Sequence, residues 1–153
     1  MNSPSDFDCE NGIPFTDLNQ LAKNVFQFAS HQLTQIEADD LFLYSAGDNY
    51  IKLAQFLTQN YKYQRQGITP LMIAAQNNNA ELVKIFKQQN GRKDVYGTTA
   101  LMYAVLNDAD AAVQELAKYE LHEVNNQNMT ARDIALALHA DQSIVQILEC
   151  AQS

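Results

Sequence analysis

Basic residues are scarce in this chain: 10 lysines and arginines stand against 18 acidic residues, a formal net charge of −8 over 153 residues. A protein that grips a phosphate backbone needs a basic footprint, so this balance argues against nucleic acid as a partner. It serves solubility at least as well as it would serve an acidic binding surface. Cysteine is scarcer still, with Cys9 in an acidic N-terminal stretch and Cys150 near the last residue. Two thiols make no disulfide framework, and both are expected reduced. No apolar run approaches the roughly 20 residues that span a bilayer. Met1-Asn2-Ser3-Pro4-Ser5-Asp6-Phe7-Asp8 lacks a basic stretch followed by an apolar one, so no signal peptide is expected. A soluble, cytoplasmic protein is the plain expectation.

Chemistry-bearing patterns are equally thin. Glycine accounts for 5 of 153 residues, with no phosphate-cradling loop and no Gly-x-Ser-x-Gly. His31, His122 and His139 stand in no HExxH or Cys-x-x-Cys context. Cys150 follows Glu149, an acidic neighbour that does not favour a thiolate. The sequence therefore leads us to expect no enzyme, no metal and no cofactor. What remains is an ordinary globular composition, 46% hydrophobic and 18% charged, with length enough for one substantial core.

The informative feature is a line that recurs. Gly67-Ile68-Thr69-Pro70-Leu71-Met72-Ile73-Ala74-Ala75 returns thirty residues later as Gly97-Thr98-Thr99-Ala100-Leu101-Met102-Tyr103-Ala104-Val105. It returns again, thirty-one residues on, as Asn128-Met129-Thr130-Ala131-Arg132-Asp133-Ile134-Ala135-Leu136. In the first unit Thr69 caps a helix that Pro70 starts, where the missing N–H is not needed. Leu71, Ala74 and Ala75 fall at helical spacing, and the small alanines allow a second helix close by. Asn77-Asn78-Asn79 breaks the helix, Asn78 being suited to a left-handed backbone. Ala80 to Phe86 then reads as an antiparallel return helix. A hairpin of this kind buries both apolar faces only by stacking on its neighbours. The next unit repeats the logic: Asp94-Val95-Tyr96-Gly97 turns, Thr99 caps, Asp108 breaks, and Val113 and Leu116 build the return helix. In the last, Asn125 to Asn128 turn, Thr130 caps, Ala135 and Leu136 form the inner face, and His139 takes the break. Ile144, Ile147 and Leu148 build the outer helix. Upstream, Leu41 to Asp48 followed by Ile51, Leu53, Phe56 and Leu57 reads as a degenerate earlier unit with its break at Gly47.

This Gly-x-Thr-Pro-Leu-x-x-Ala-Ala line at a period near thirty resembles the ankyrin repeat. The resemblance implies an all-α solenoid of about four stacked helix pairs, from Ala38 to Cys150. The ends of such a stack lie far apart, so no Cys9–Cys150 bond is expected. Two departures stand out. Met72 and Met102 replace the usual histidine, so apolar contact is expected in place of its backbone hydrogen bonds. Spacings of 30 and 31, against about 33 in the family, imply shortened turns. Arg132 replaces leucine in the last unit, as suits a terminal cap with one uncovered face.

Before the repeats, Thr16 can cap a helix carrying Leu18, Leu21, Ala22, Val25, Phe26 and Ala29. Its expected role is to cover the first repeat, which divides the chain into an acidic tail and capping helix, 1–37, and a repeat domain, 38–153. The family resemblance implies a non-catalytic adaptor or inhibitor, monomeric, that holds another protein or peptide against a concave face. The alternative is an assembly subunit attached to a larger complex through its N-terminal helix. Carried over position by position, the turn residues facing the groove are Arg65, Gln66 and Ile68, then Val95, Tyr96 and Thr98, then Asn126, Gln127 and Met129. The residues before each helix break join them: Ser45 and Ala46, Gln76 and Asn77, Leu106 and Asn107, Ala137 and Leu138. Val95, Tyr96, Leu106, Met129 and Leu138 would form an apolar strip suited to a hot spot. The competing expectation is that Leu106 and Leu138 pack beneath adjacent turns and Met129 fills a gap. Tyr61-Lys62-Tyr63-Gln64-Arg65 reads as a solvated turn able to meet an acidic peptide.

Overall fold

The computed structural model describes residues 33–152, and the helix expected after Thr16 and Cys9 both lie outside them. Every regular element among the described residues is helical. The chain divides after Arg65 into two compact units.

The first unit pairs α1 (Gln35–Gly47) with α2 (Ile51–Asn60). Thr34 opens α1 with a reciprocal cap: its Oγ1 accepts the Glu37 N–H at 3.2 Å, and Glu37 Oε2 accepts the Thr34 N–H at 2.8 Å. The helix thus begins ahead of Ala38, and the boundary expected at 37/38 falls inside it. Leu41, Phe42, Leu53 and Leu57 form a buried interior.

Two expectations are corrected here. The helix break is not at Gly47, which is still helical, but at Asn49, whose φ is 59°. Ser45 and Ala46 are consequently buried, not groove-facing, and occupy the places of Ala74 and Ala75. The segment 61–65 is also no solvated turn. Tyr63 is buried edge-on against Phe42 at 5.9 Å, and Arg65 Nη2 meets Asp40 Oδ1 at 2.7 Å. Because Gly47 needs no special backbone and an added Cβ would meet nothing within 4 Å, Gly47→Ala is expected to stabilise the protein by about 0.5–1 kcal/mol. A urea midpoint that falls instead would show that the glycine is required.

The second unit contains α3 (Pro70–Gln76), α4 (Ala80–Ile85) with a 3-10 turn at Lys87–Gln89, α5 (Ala100–Leu106), α6 (Asp110–Glu120), α7 (Ala131–Ala137) and α8 (Gln142–Gln152). The inner helices α3, α5 and α7 pack in sequence, and α4, α6 and α8 form a second layer. Each inner helix starts on a threonine: Thr69, Thr99 and Thr130 accept the N–H three residues on, at 3.2, 3.4 and 3.2 Å. Each ends on a left-handed residue, Asn78, Asp108 or His139, with φ of 56°, 51° and 52°. The following N–H then closes on the carbonyl five residues back, as Asn79 to Ala74, Ala109 to Ala104 and Ala140 to Ala135, each at 2.9 Å. Leu71, Leu101, Leu116 and Leu148 are fully buried between the layers, each stabilising the fold by roughly 1.5–3 kcal/mol.

Polar ties run within and between the helix pairs of the second unit. Asn78 Oδ1 accepts the Ala112 N–H at 3.1 Å, supplying α6 with a start that Ala109 has no side-chain oxygen to provide. Gln89 Oε1 accepts the Leu71 N–H at 3.0 Å, and Glu120 Oε2 accepts the Leu101 N–H at 2.8 Å. Met72 modifies one expectation: its Sδ accepts the Thr69 N–H at 3.4 Å, so the thioether retains a backbone contact in place of the missing histidine. Leu136 modifies another. Its counterparts Ala75 and Val105 are buried, whereas Leu136 is 47% exposed, since no further described helix packs on it.

Candidate functional site

The turns that precede α5 and α7 share one construction. Asp94 Oδ1 accepts the N–H groups of Tyr96 and Thr98, both at 2.9 Å, while Asp94 N–H donates to the Thr98 carbonyl at 3.1 Å. Asn125 does the same one unit later, its Oδ1 accepting from Gln127 at 2.9 Å and Met129 at 3.0 Å. A short side chain that bonds its own backbone two residues on is what makes Asp and Asn effective here. Gly97 and Asn128 then adopt positive φ, 77° and 62°. The two turns are laced together: Asn126 N–H donates to the Tyr96 carbonyl at 3.1 Å, and Asn126 Nδ2 to the Val95 carbonyl at 3.0 Å. Behind them Lys93 Nζ reaches the Val124 carbonyl at 2.7 Å and Glu123 at 3.1 Å.

Tyr103 braces the first turn from α5, its hydroxyl donating to Asp94 Oδ2. Burial alone would raise the Asp94 carboxyl, but bonds from Tyr103, Thr98 and Tyr96 outweigh it and hold it below the usual value. The Tyr103 phenol is pushed up to about 12, first by burial and then by that carboxylate. Both groups therefore keep their roles throughout the neutral range, and the tip stays fixed.

On this frame the apolar tip residues point into solvent. Val95 is 78% exposed, Tyr96 72%, Leu138 53% and Leu106 48%. Ile68 is exposed as well, while Met129 and Thr98 are half-buried. Neither leucine packs beneath a neighbouring turn. Of the other residues expected in the groove, the amides Gln66, Gln76, Asn107, Asn126 and Gln127 are all exposed. Asn107 spends its Nδ2 on the Tyr103 carbonyl at 2.8 Å. Arg65 belongs to the first unit, where Asp40 engages its guanidinium and first among its causes raises its pKa.

Sequence reasoning passed over the buried acceptors that set this frame. Glu120 is only 1% exposed, and besides Leu101 it accepts the Gly91 N–H at 2.9 Å. The one clue was a glutamate at the end of an otherwise apolar stripe. Among the described residues there is no group of three or more His, Cys, Asp or Glu placed to hold a metal ion. No described helix is long and apolar enough to cross a membrane.

Comparison with protein families matches residues 41–133 to a family model of ankyrin repeats in three copies. No curated protein matches the chain. Repeats of this kind are generally protein–protein interaction modules. With a match over more than half its length, and with stacked helical hairpins that keep the repeat's caps and breaks in register, the chain belongs to the ankyrin-repeat family.

Proposed function

We propose that this protein is a non-catalytic adaptor or inhibitor that holds a segment of another protein against the turn tips and inner-helix ends of its second unit. The observation that carries the reading is the placement of apolar side chains in solvent. Five of the nine large apolar residues exposed among the described residues are Ile68, Val95, Tyr96, Leu106 and Leu138, all at positions the repeat turns toward its groove. Exposed apolar anchors together with exposed amides suit a polypeptide, whose backbone can bond to the amides while its side chains cover the anchors. Val95 and Tyr96 stand on laced turns and Leu106 and Leu138 close inner helices, so little conformational freedom is lost on binding.

The test is a Tyr96→Glu, Leu106→Glu double variant. Both side chains are exposed, so the far-ultraviolet circular dichroism is expected to match the parent. Capture of the partner from native extract is expected to fail, a weakening of at least about 100-fold for two buried anchors turned charged. A partner retained by the folded variant would remove the concave face from consideration. Loss of fold on Leu106→Glu alone would show that Leu106 is a packing residue.

A further inference from the structure

The outer layer of the second unit carries a cleft that the concave face does not use. It has a volume of about 220 Å³ and lies where α4 has given way to its 3-10 turn while α6 continues. Buried Val83 and Leu116 form its apolar lining, and Tyr119, 58% exposed, stands at its edge. A cavity of roughly 150 Å³ holds a benzene ring, and sites for larger ligands begin near about 300 Å³. The cleft is therefore the size of one aromatic side chain.

Two features say what kind. Lys84 and Lys87 line it, and Lys118 stands beside it on α6, one residue from Tyr119. The lining carboxylate Glu115 is approached by Lys84 at 3.8 Å and by Lys118 at 3.7 Å. These contacts are too long for hydrogen bonds and worth little in solvent. Glu81, one turn back on α4, does not line the cleft. In a chain of net charge −8, Lys84 and Lys87 in the lining and Lys118 beside it outnumber the one lining carboxylate, Glu115, and make a local positive patch. The second feature is Asn90, which borders the cleft and whose buried Oδ1 has no hydrogen-bond donor among the described residues. Such an acceptor gains from any donor brought to it.

We infer that this cleft is a second docking site, for an acidic segment of a partner protein that inserts a tyrosine. The ring lies on Val83 and Leu116 beside Tyr119. Its hydroxyl donates to Asn90 Oδ1 once the amide turns about its last side-chain bond, and flanking carboxylates face Lys84, Lys87 and Lys118. The site stands apart from the concave face, so the protein can bridge two segments at once.

The test uses an acetylated, fluorophore-tagged peptide, Asp-Glu-Tyr-Glu-Asp amide, titrated with the full chain and followed by anisotropy. Saturable binding is expected, weakened by salt and reduced at least about tenfold by Lys87→Glu and by Tyr119→Ala. Both positions are exposed, and circular dichroism checks that the variants fold. A peptide with phenylalanine in place of tyrosine is expected to bind several-fold more weakly. The Tyr96→Glu, Leu106→Glu protein is expected to bind the tyrosine peptide as the parent does. Absence of saturable binding, survival of binding in Lys87→Glu, equal binding of the phenylalanine peptide, or loss with the concave-face variant would each overturn the assignment.

Discussion

Gly97→Ala is expected to destabilise the second unit by about 3 kcal/mol, whereas Gly67→Ala costs about 1 kcal/mol. Both glycines have left-handed backbones, with φ of 77° and 89°, so the intrinsic penalty of adding a Cβ is similar. What differs is the space. A Cβ on Gly97 would stand 2.6 Å from Asn126 Oδ1 and 2.7 Å from Asn126 N, while at Gly67 nothing lies within 4 Å. The clash at Gly97 is with backbone that cannot retreat without breaking the bond from Asn126 N–H to the Tyr96 carbonyl. Urea unfolding of the two variants, followed by circular dichroism, measures the difference directly, and equal losses would refute the close-approach argument. The same substitution unlaces the tip that carries Val95 and Tyr96, so a concave-face partner is expected to bind Gly97→Ala more weakly even where the fold survives.

The repeat's period made most of this architecture legible. Thr69, Thr99 and Thr130 announce helix starts because a hydroxyl there satisfies an otherwise orphan N–H, and Asn78, Asp108 and His139 mark the breaks. Gly47 misled because glycine is the commonest residue at a break. The chain instead uses Asn49, twenty-nine residues before Asn78, which places Ser45 over the position of Ala74. Register placed Val95, Tyr96, Leu106 and Leu138 at outward positions, but it did not decide whether the two leucines pack beneath adjacent turns; their exposure decides it. The burial of Leu136 was likewise undecided, because it depends on whether another helix follows. Tyr63 sits among charged neighbours in sequence, yet its ring finds Phe42, twenty-one residues away. Nothing in the sequence singles out Lys84, Lys87 and Tyr119, and only the packing of α4 against α6 brings them around one cleft.

Glu120 was the least legible residue, and its replacement is the other large effect expected. Its two oxygens accept the N–H groups of Gly91 and Leu101, and the Thr99 hydroxyl adds a third bond. Glu120→Ala strands the buried Leu101 N–H and removes the bonds of the part-buried Gly91 N–H and of Thr99, and with the truncated side chain a loss of about 3 kcal/mol is expected. Glu120→Gln is expected to cost less than Glu120→Ala, because its one amide oxygen can keep the Leu101 bond as Gln89 Oε1 keeps that of Leu71, although its NH2 then faces the Gly91 N–H without accepting from it. The pH dependence separates the two contributions. Desolvation raises the Glu120 carboxyl above its ordinary value, more than its hydrogen bonds lower it. A raised folded-state pKa means that the folded protein binds the proton more tightly than the unfolded chain does. The stabilisation from that proton is fully present below the ordinary glutamate range and is lost as pH rises through the raised value. The amide variant has no such loss, so its stability relative to the parent is expected to improve as pH is raised from the ordinary carboxylate range toward neutrality. Urea midpoints of both proteins across that window decide the point. A difference that stays constant with pH would mean that Glu120 titrates alike in the folded and unfolded chains, and that its burial carries no electrostatic penalty.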